Sequence, residues 1–441
     1  MLVSNYLDSE LFDLYQCIKP GIMKLIRVDA LSLLKLEENL KLNSDVDFTL
    51  SYANVESLTT LHKITNDLSE FKSVVERGPF DINIKKLYLQ KVKERLSELN
   101  VALSLHRLIK TPSIESAQQL QLNINSAFGL PEKKIFELTI SELVSRAEER
   151  DTPSLIDDIG LRGYVKSLDS YKYISSQYSR SVFSNTHSPS SDRYGNAESV
   201  AVALREALSN FDGADDWRVR VDTRARFNHV TVFGAKKIIF VPGDIIFDNN
   251  GMNNAMSHRK ICKLVAHEIH THVQRAVAGF NSPLKLLSVG LSGYKVFEEG
   301  LATYREQEVV GDNRYFAGFQ SYLAIGLALG LDRGGKYRLF TDVYKILTKI
   351  NESLYFNNNI SAAKHIAFKR TSRTFISQSN TFQCINTRDL IYRQGNIRAH
   401  DFFVNRQNRR DITDIGKFDP INHEQVVCLQ RLGIIPQDYG A

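Results

Sequence analysis

Three histidines and a glutamate fall within six consecutive residues, His267-Glu-Ile-His-Thr-His272, of a 441-residue chain. Their flanks read as a helix. Ile261, Ala266, Ile269, Val273 and Val277 make it apolar over much of its circumference, Ser257 or Asn253 can cap its start, and Gly279 can close it. Four such side chains on a buried helix are costly to desolvate unless something binds them, and a metal ion is the simplest partner. Zinc suits imidazole nitrogen and carboxylate oxygen, and in catalytic sites it keeps one position open for water. The bland alternative is a hydrogen-bonded polar cluster without an ion.

The spacing departs from the His-Glu-x-x-His of metalloprotease helices, which sets two ligands four residues apart, roughly 40° around the axis. Thr271 holds that position here. His267 and His270 are three apart, roughly 60° on a regular helix. His267 and His272 are five apart, roughly 140°, and converge only if the helix is locally widened, for instance by a π-bulge. A regular helix favours His270. Downstream, Glu298-Glu-Gly-Leu-Ala302 reads as part of a second helix, and a Glu before Gly-x-Ala is how one large class of zinc peptidases supplies a third ligand.

Together the two motifs resemble the microtubule-associated tyrosine carboxypeptidases, whose bacterial relatives carry the label flavohaemoglobin expression-modulating QEGLA motif proteins. Further pieces occur in the same order: Ser282-Pro-Leu-Lys-Leu-Leu-Ser-Val-Gly-Leu291, Ala367-Phe-Lys-Arg370 and Thr387-Arg-Asp-Leu-Ile-Tyr-Arg-Gln-Gly395. The resemblance spans roughly Trp217 to Phe403. It implies one Zn2+ on His267, His272 and Glu299, with Glu268 as general base. It also implies a gluzincin-like metallopeptidase, α+β and predominantly helical, with a small β-sheet packed on the active-site helix and a helical N-terminal region. An oxyanion donor is expected from Tyr392, with Tyr294 as second choice. Lys369, Arg370 and Arg373 are expected to hold a substrate carboxylate, as basic groups do in exopeptidases. Two departures stand out: His270 replaces a Gly of the family's motif and is expected to contact substrate, and Ala278 stands where relatives often carry Asn.

The elements that must position these residues are read from periodicity. Leu58, Leu61, Ile64, Leu68 and Phe71 mark one helix, and Leu87, Val92, Leu96 and Leu99 mark another that Pro112 ends. Ser184 to Asn196 reads as a loop, followed by a helix from Ala197. Three short strands are expected at Trp217–Asp222, His229–Phe233 and Lys237–Val241. The catalytic-site helix is expected over about 257–278 and the third-ligand helix over about 294–309. The last ninety or so residues carry weak signals. Residues 1–165 are read as a helical N-terminal region and 166–441 as the catalytic domain. Gly330-Leu-Asp-Arg-Gly-Gly-Lys-Tyr337 nearly spells a phosphate loop but ends in Tyr where Ser or Thr belongs, so it is read as a turn.

Composition narrows the class. A net charge of +6 is too mild for a nucleic-acid face. Four cysteines, each single, carry neither a disulfide framework nor thiolate-ligand spacing. No apolar run is long enough to span a bilayer, and acidic residues near the start do not suit a signal peptide, so a cytoplasmic protein is expected. The expected partner is a peptide or protein C-terminus, with neither nucleic acid nor membrane. An endopeptidase or amidase with the same site, and a non-catalytic metal-binding regulator, remain as alternatives. Glu268 argues against the last, since a structural metal needs no base.

Overall fold

The computed structural model describes residues 7–18, 36, 48–49, 58–168, 193–222, 229–243, 256–312, 314–356, 359–378, 382–405 and 409–439. Most of these are helical, with small sheets, an α+β chain. None of the described helices is long and apolar enough to cross a membrane. The expected loop at Ser184–Asn196 lies mostly outside the described residues.

The two periodic stripes form helices Leu58–Arg77 and Ile82–Lys110. Asp81 caps the second by accepting from the Asn83 and Ile84 amides. Leu61, Ile64, Leu68 and Phe71 are buried as expected, whereas Leu58, in the opening turn, is exposed. These helices share one apolar core with Leu284, Leu287, Phe297 and Leu301 and with Phe402 and Leu429. The segment between the two motif helices is thus wedged against the N-terminal helices. Asp8 pins it further, accepting from the Lys285 and Leu286 amides and from the Tyr88 hydroxyl.

The three expected strands form one sheet. Ile238–Pro242 lies centrally, parallel to Arg218–Asp222 and antiparallel to Thr231–Phe233. Val219, Ile239 and Val241 bury against Leu204 of helix Ala197–Ser209 and against Ile269, Val273 and Ala276 of the histidine-bearing helix. The sheet therefore backs the motif from behind.

The C-terminal part holds more regular structure than its weak signals suggest. Helix Ile360–Thr374 leads into an antiparallel hairpin, Phe375–Gln378 with Gln383–Ile385, and then into the 16-residue helix Leu390–Asn405. Apolar periodicity fails there because both helices bury polar groups: Thr371, Ser372, Arg393, Asn396 and His400 are all buried. Gly330–Tyr337 is a turn, with Gly330, Gly334 and Gly335 at positive φ.

Helix Leu390–Asn405 packs along Tyr294–Val309, and two glycines set their approach. A Cβ on Gly300 would collide with the backbone of Gly395, and one on Gly395 would collide with the Val296 carbonyl oxygen. Beyond the crossing, Asn396 Nδ2 donates to Thr303 Oγ1 at 3.0 Å and to Gln307 Oε1 at 2.8 Å, and His400 Nε2 meets the same Gln307 oxygen at 3.1 Å. The Gly of the Glu-Glu-Gly motif is there so that a second helix can lie against the first.

Candidate metal centre

Ser257 caps helix His258–His267, its hydroxyl accepting from the Lys260 amide. Glu268–Val273 then forms a π-helical turn, and α-helix resumes over Gln274–Asn281. The widened turn is what the five-residue spacing of His267 and His272 demanded. Inside it, Thr271 donates its hydroxyl to the Ala266 carbonyl five residues back. The helix runs two residues past Gly279, correcting the expectation that this glycine ends it. Gly279 serves packing instead, since a Cβ there would meet the backbone of Leu287 and Ser288.

The π-turn brings the outer two imidazoles together, their ring centroids 5.0 Å apart. His267 Nε2 lies 3.7 Å from one Glu299 carboxylate oxygen and His272 Nε2 lies 3.9 Å from the other. Ligand atoms of His267, Glu268 and His272 also lie within 4.8 Å of one another. Two carboxylates thus flank the imidazole pair, Glu268 from the same helix and Glu299 from the next. His270 is exposed, its ring 6.4 Å from that of Phe211, and stands apart from this group.

Each imidazole rests its other nitrogen on a carboxylate. His267 Nδ1 is 2.6 Å from Glu306 and His272 Nδ1 is 3.0 Å from Glu298. A neutral ring that donates from Nδ1 would present the lone pair of Nε2, the state a metal ligand needs, once a metal displaces the second proton. Glu298 in turn receives Arg275, which is wholly buried and also donates to the Phe418 carbonyl, and Lys417 at 3.5 Å.

The electrostatics suit a cation. Burial alone would lower the His267 imidazole, but Glu306, Glu268 and Glu299 outweigh it and push it up to about 10. Burial raises the Glu268 carboxyl, against the pull of His267 and His272. Burial would raise Glu298 as well, yet Arg275, Lys417 and His272 hold it well below the usual carboxylate range. His270, though exposed, is partly desolvated by its surroundings, and this together with the positive charge of Arg305 lowers it. Two imidazole nitrogens converging on carboxylate oxygen form a donor set that fits a divalent transition metal, so the residues present could hold one.

A second cluster borders the first. Tyr392 is raised chiefly by the neighbouring charge of Glu299, with the positive charge of Arg373 pulling the other way. Arg373 also forks onto Asp389 at 2.9 and 3.0 Å. Arg370 donates to the Ser321 hydroxyl and is lowered by burial. Lys369 is half-buried on the same helix. Tyr294 is half-buried, with Lys91 5.1 Å from its ring centroid.

The supports Glu298, Glu306, Arg275 and Lys417 were not among the residues that the sequence singled out for the site. Glu306 was within reach, because seven residues after Glu299 is two helical turns and the same face. Lys417 lies more than a hundred residues from the motifs and left no local signal.

Comparison with curated proteins gives no match. Residues 172–314 match a family model, less than half of the chain but inclusive of both motif helices; Lys369, Arg370, Arg373 and Tyr392 fall beyond it. The model is that of microtubule-associated tyrosine carboxypeptidase, so the segment carrying His267, His272 and Glu299 matches the same family that its motifs resemble.

Proposed function

We propose that the chain is a zinc-dependent peptidase with a gluzincin-like catalytic domain at 166–441, acting as a carboxypeptidase on a peptide or protein C-terminus. One observation carries this reading: a π-widened turn aims two Nε2 atoms at Glu299 while Glu268 stands beside them. His267, His272 and Glu299 would hold one zinc ion, Glu299 offering an oxygen towards each imidazole. A zinc ion there supplies Lewis acidity, which acidifies water and polarises a carbonyl.

Glu268 takes the proton from the attacking water and returns it to the leaving amine. Its burial, which raises the carboxyl, brings it closer to the working range of a general acid–base. Tyr392, whose phenol feels the charges of Glu299 and Arg373, donates its hydroxyl to the developing oxyanion. Arg370 and Arg373, with Lys369, provide the positive charge that a free C-terminal carboxylate requires. His270, exposed next to Phe211, lines the approach for substrate side chains.

Purified protein with zinc, incubated with a peptide library and read by mass spectrometry, tests this. Loss of a single C-terminal residue is expected, and amidated C-termini should resist. Glu268→Gln should lower kcat by roughly 10²–10⁴-fold with zinc content unchanged. Internal cuts would replace the exopeptidase with the endopeptidase reading, and an unaffected Glu268→Gln variant would remove the mechanism.

A further inference from the structure

We infer that Glu306 is a positioning residue for His267: it fixes the ring so that Nε2, not Nδ1, is offered to the metal, and thereby sets metal affinity. This rests on the metal reading above.

Glu306 follows Glu299 by seven residues on helix Tyr294–Val309, so both carboxylates project from one face two turns apart. The His267 ring lies between them, Nε2 3.7 Å from Glu299 and Nδ1 2.6 Å from Glu306. One helix therefore clamps both nitrogens of one imidazole and selects its tautomer. A solvated surface charge would not make so short a contact with a ring that is itself largely buried.

The environment separates this role from simple packing. Glu306 stands on the wall of a cavity of about 690 Å³ that Lys263, Thr303, Arg146, Arg314 and Tyr315 also line. Its side chain keeps 28% of its exposure, against 3% for Glu298, so shortening it opens no hole in the core. What truncation removes is the negative charge and the acceptor at His267 Nδ1. Ligand imidazoles deprived of such a partner lose basicity and orientation, and metal affinity falls by about 10–100-fold.

The experiment compares zinc dissociation constants of wild type, Glu306→Gln and Glu306→Ala by competition with a chromophoric chelator, alongside the absorption of the cobalt(II)-substituted forms and thermal unfolding of the metal-free forms. Glu306→Ala is expected to bind zinc about 10–100-fold more weakly with an altered cobalt spectrum and a nearly unchanged unfolding midpoint. Glu306→Gln keeps an acceptor oxygen but not the charge and should fall in between, several-fold weaker than wild type. Should the alanine variant not fold, the near-isosteric glutamine variant decides alone. Affinity within twofold of wild type in the variants overturns the positioning role while leaving the metal site standing. A wild-type protein that takes up neither zinc nor cobalt overturns the metal reading itself, and this inference with it.

Discussion

His272 and His267 each turn Nε2 towards Glu299 and rest Nδ1 on a carboxylate, yet the two carboxylates are supported in opposite ways. Glu298, under His272, is enclosed: Arg275 is wholly buried against it and Lys417 closes the other side. Glu306, under His267, stands at the edge of a large charged cavity. The same hydrogen bond is thus built once as part of the core and once at a solvent-lined wall. In the first case the support is inseparable from folding stability; in the second it is free to be tuned for metal affinity alone. A buried anion shared by two cations and an imidazole cannot be removed without stranding them, whereas a partly hydrated carboxylate can.

That contrast can be broken by measurement. The largest effect is expected at Glu298→Ala, which leaves Arg275 and Lys417 without their anion and should cost about 3–5 kcal/mol of stability in urea unfolding of the metal-free protein. A loss of under ~1 kcal/mol would place Glu298 in the same category as Glu306. Gly300→Ala comes next, since the added methyl meets the Gly395 backbone where the two helices cross. Overpacking there should cost about 1–3 kcal/mol and separate Tyr392 from Glu299, so a lowered kcat should accompany a lowered Tm. A variant with normal Tm would show that the crossing can open. The smallest effect is expected at Glu306→Ala, within about 0.5 kcal/mol on the metal-free fold. A larger loss would mean that the cavity-side support is structural after all, and Glu306 and Glu298 would then be supports of one kind.

Side-chain chemistry and short-range periodicity were readable from the chain itself. The strands at 218–242 alternate or are β-branched and end at Pro242-Gly243, so their place was visible. The same holds for the stripe of Leu61, Ile64, Leu68 and Phe71, for the helices over 258–281 and 294–309, and for the three histidines as a set. The spacing of His267 and His272 even stated its own condition, a widened turn. It could not say whether the condition was met. On a regular helix His270 was the better partner, and only the π-turn Glu268–Val273 leaves it exposed while turning His272 inward.

Helix Leu390–Asn405 escaped detection for a related reason: it buries Arg393, Asn396 and His400 in hydrogen bonds, so apolar periodicity is silent along it. The supports of the site divide the same way. Glu306 sits two turns from Glu299 and was in principle legible, while Lys417 and the approach of Tyr392 to Glu299 join points about a hundred residues apart. Local sequence fixes residue type and helical face because both depend on neighbours within a few positions. Which faces meet, which nitrogen of a ring is held, and how deeply an anion is enclosed depend on packing between distant segments, and those were decided by the tertiary fold.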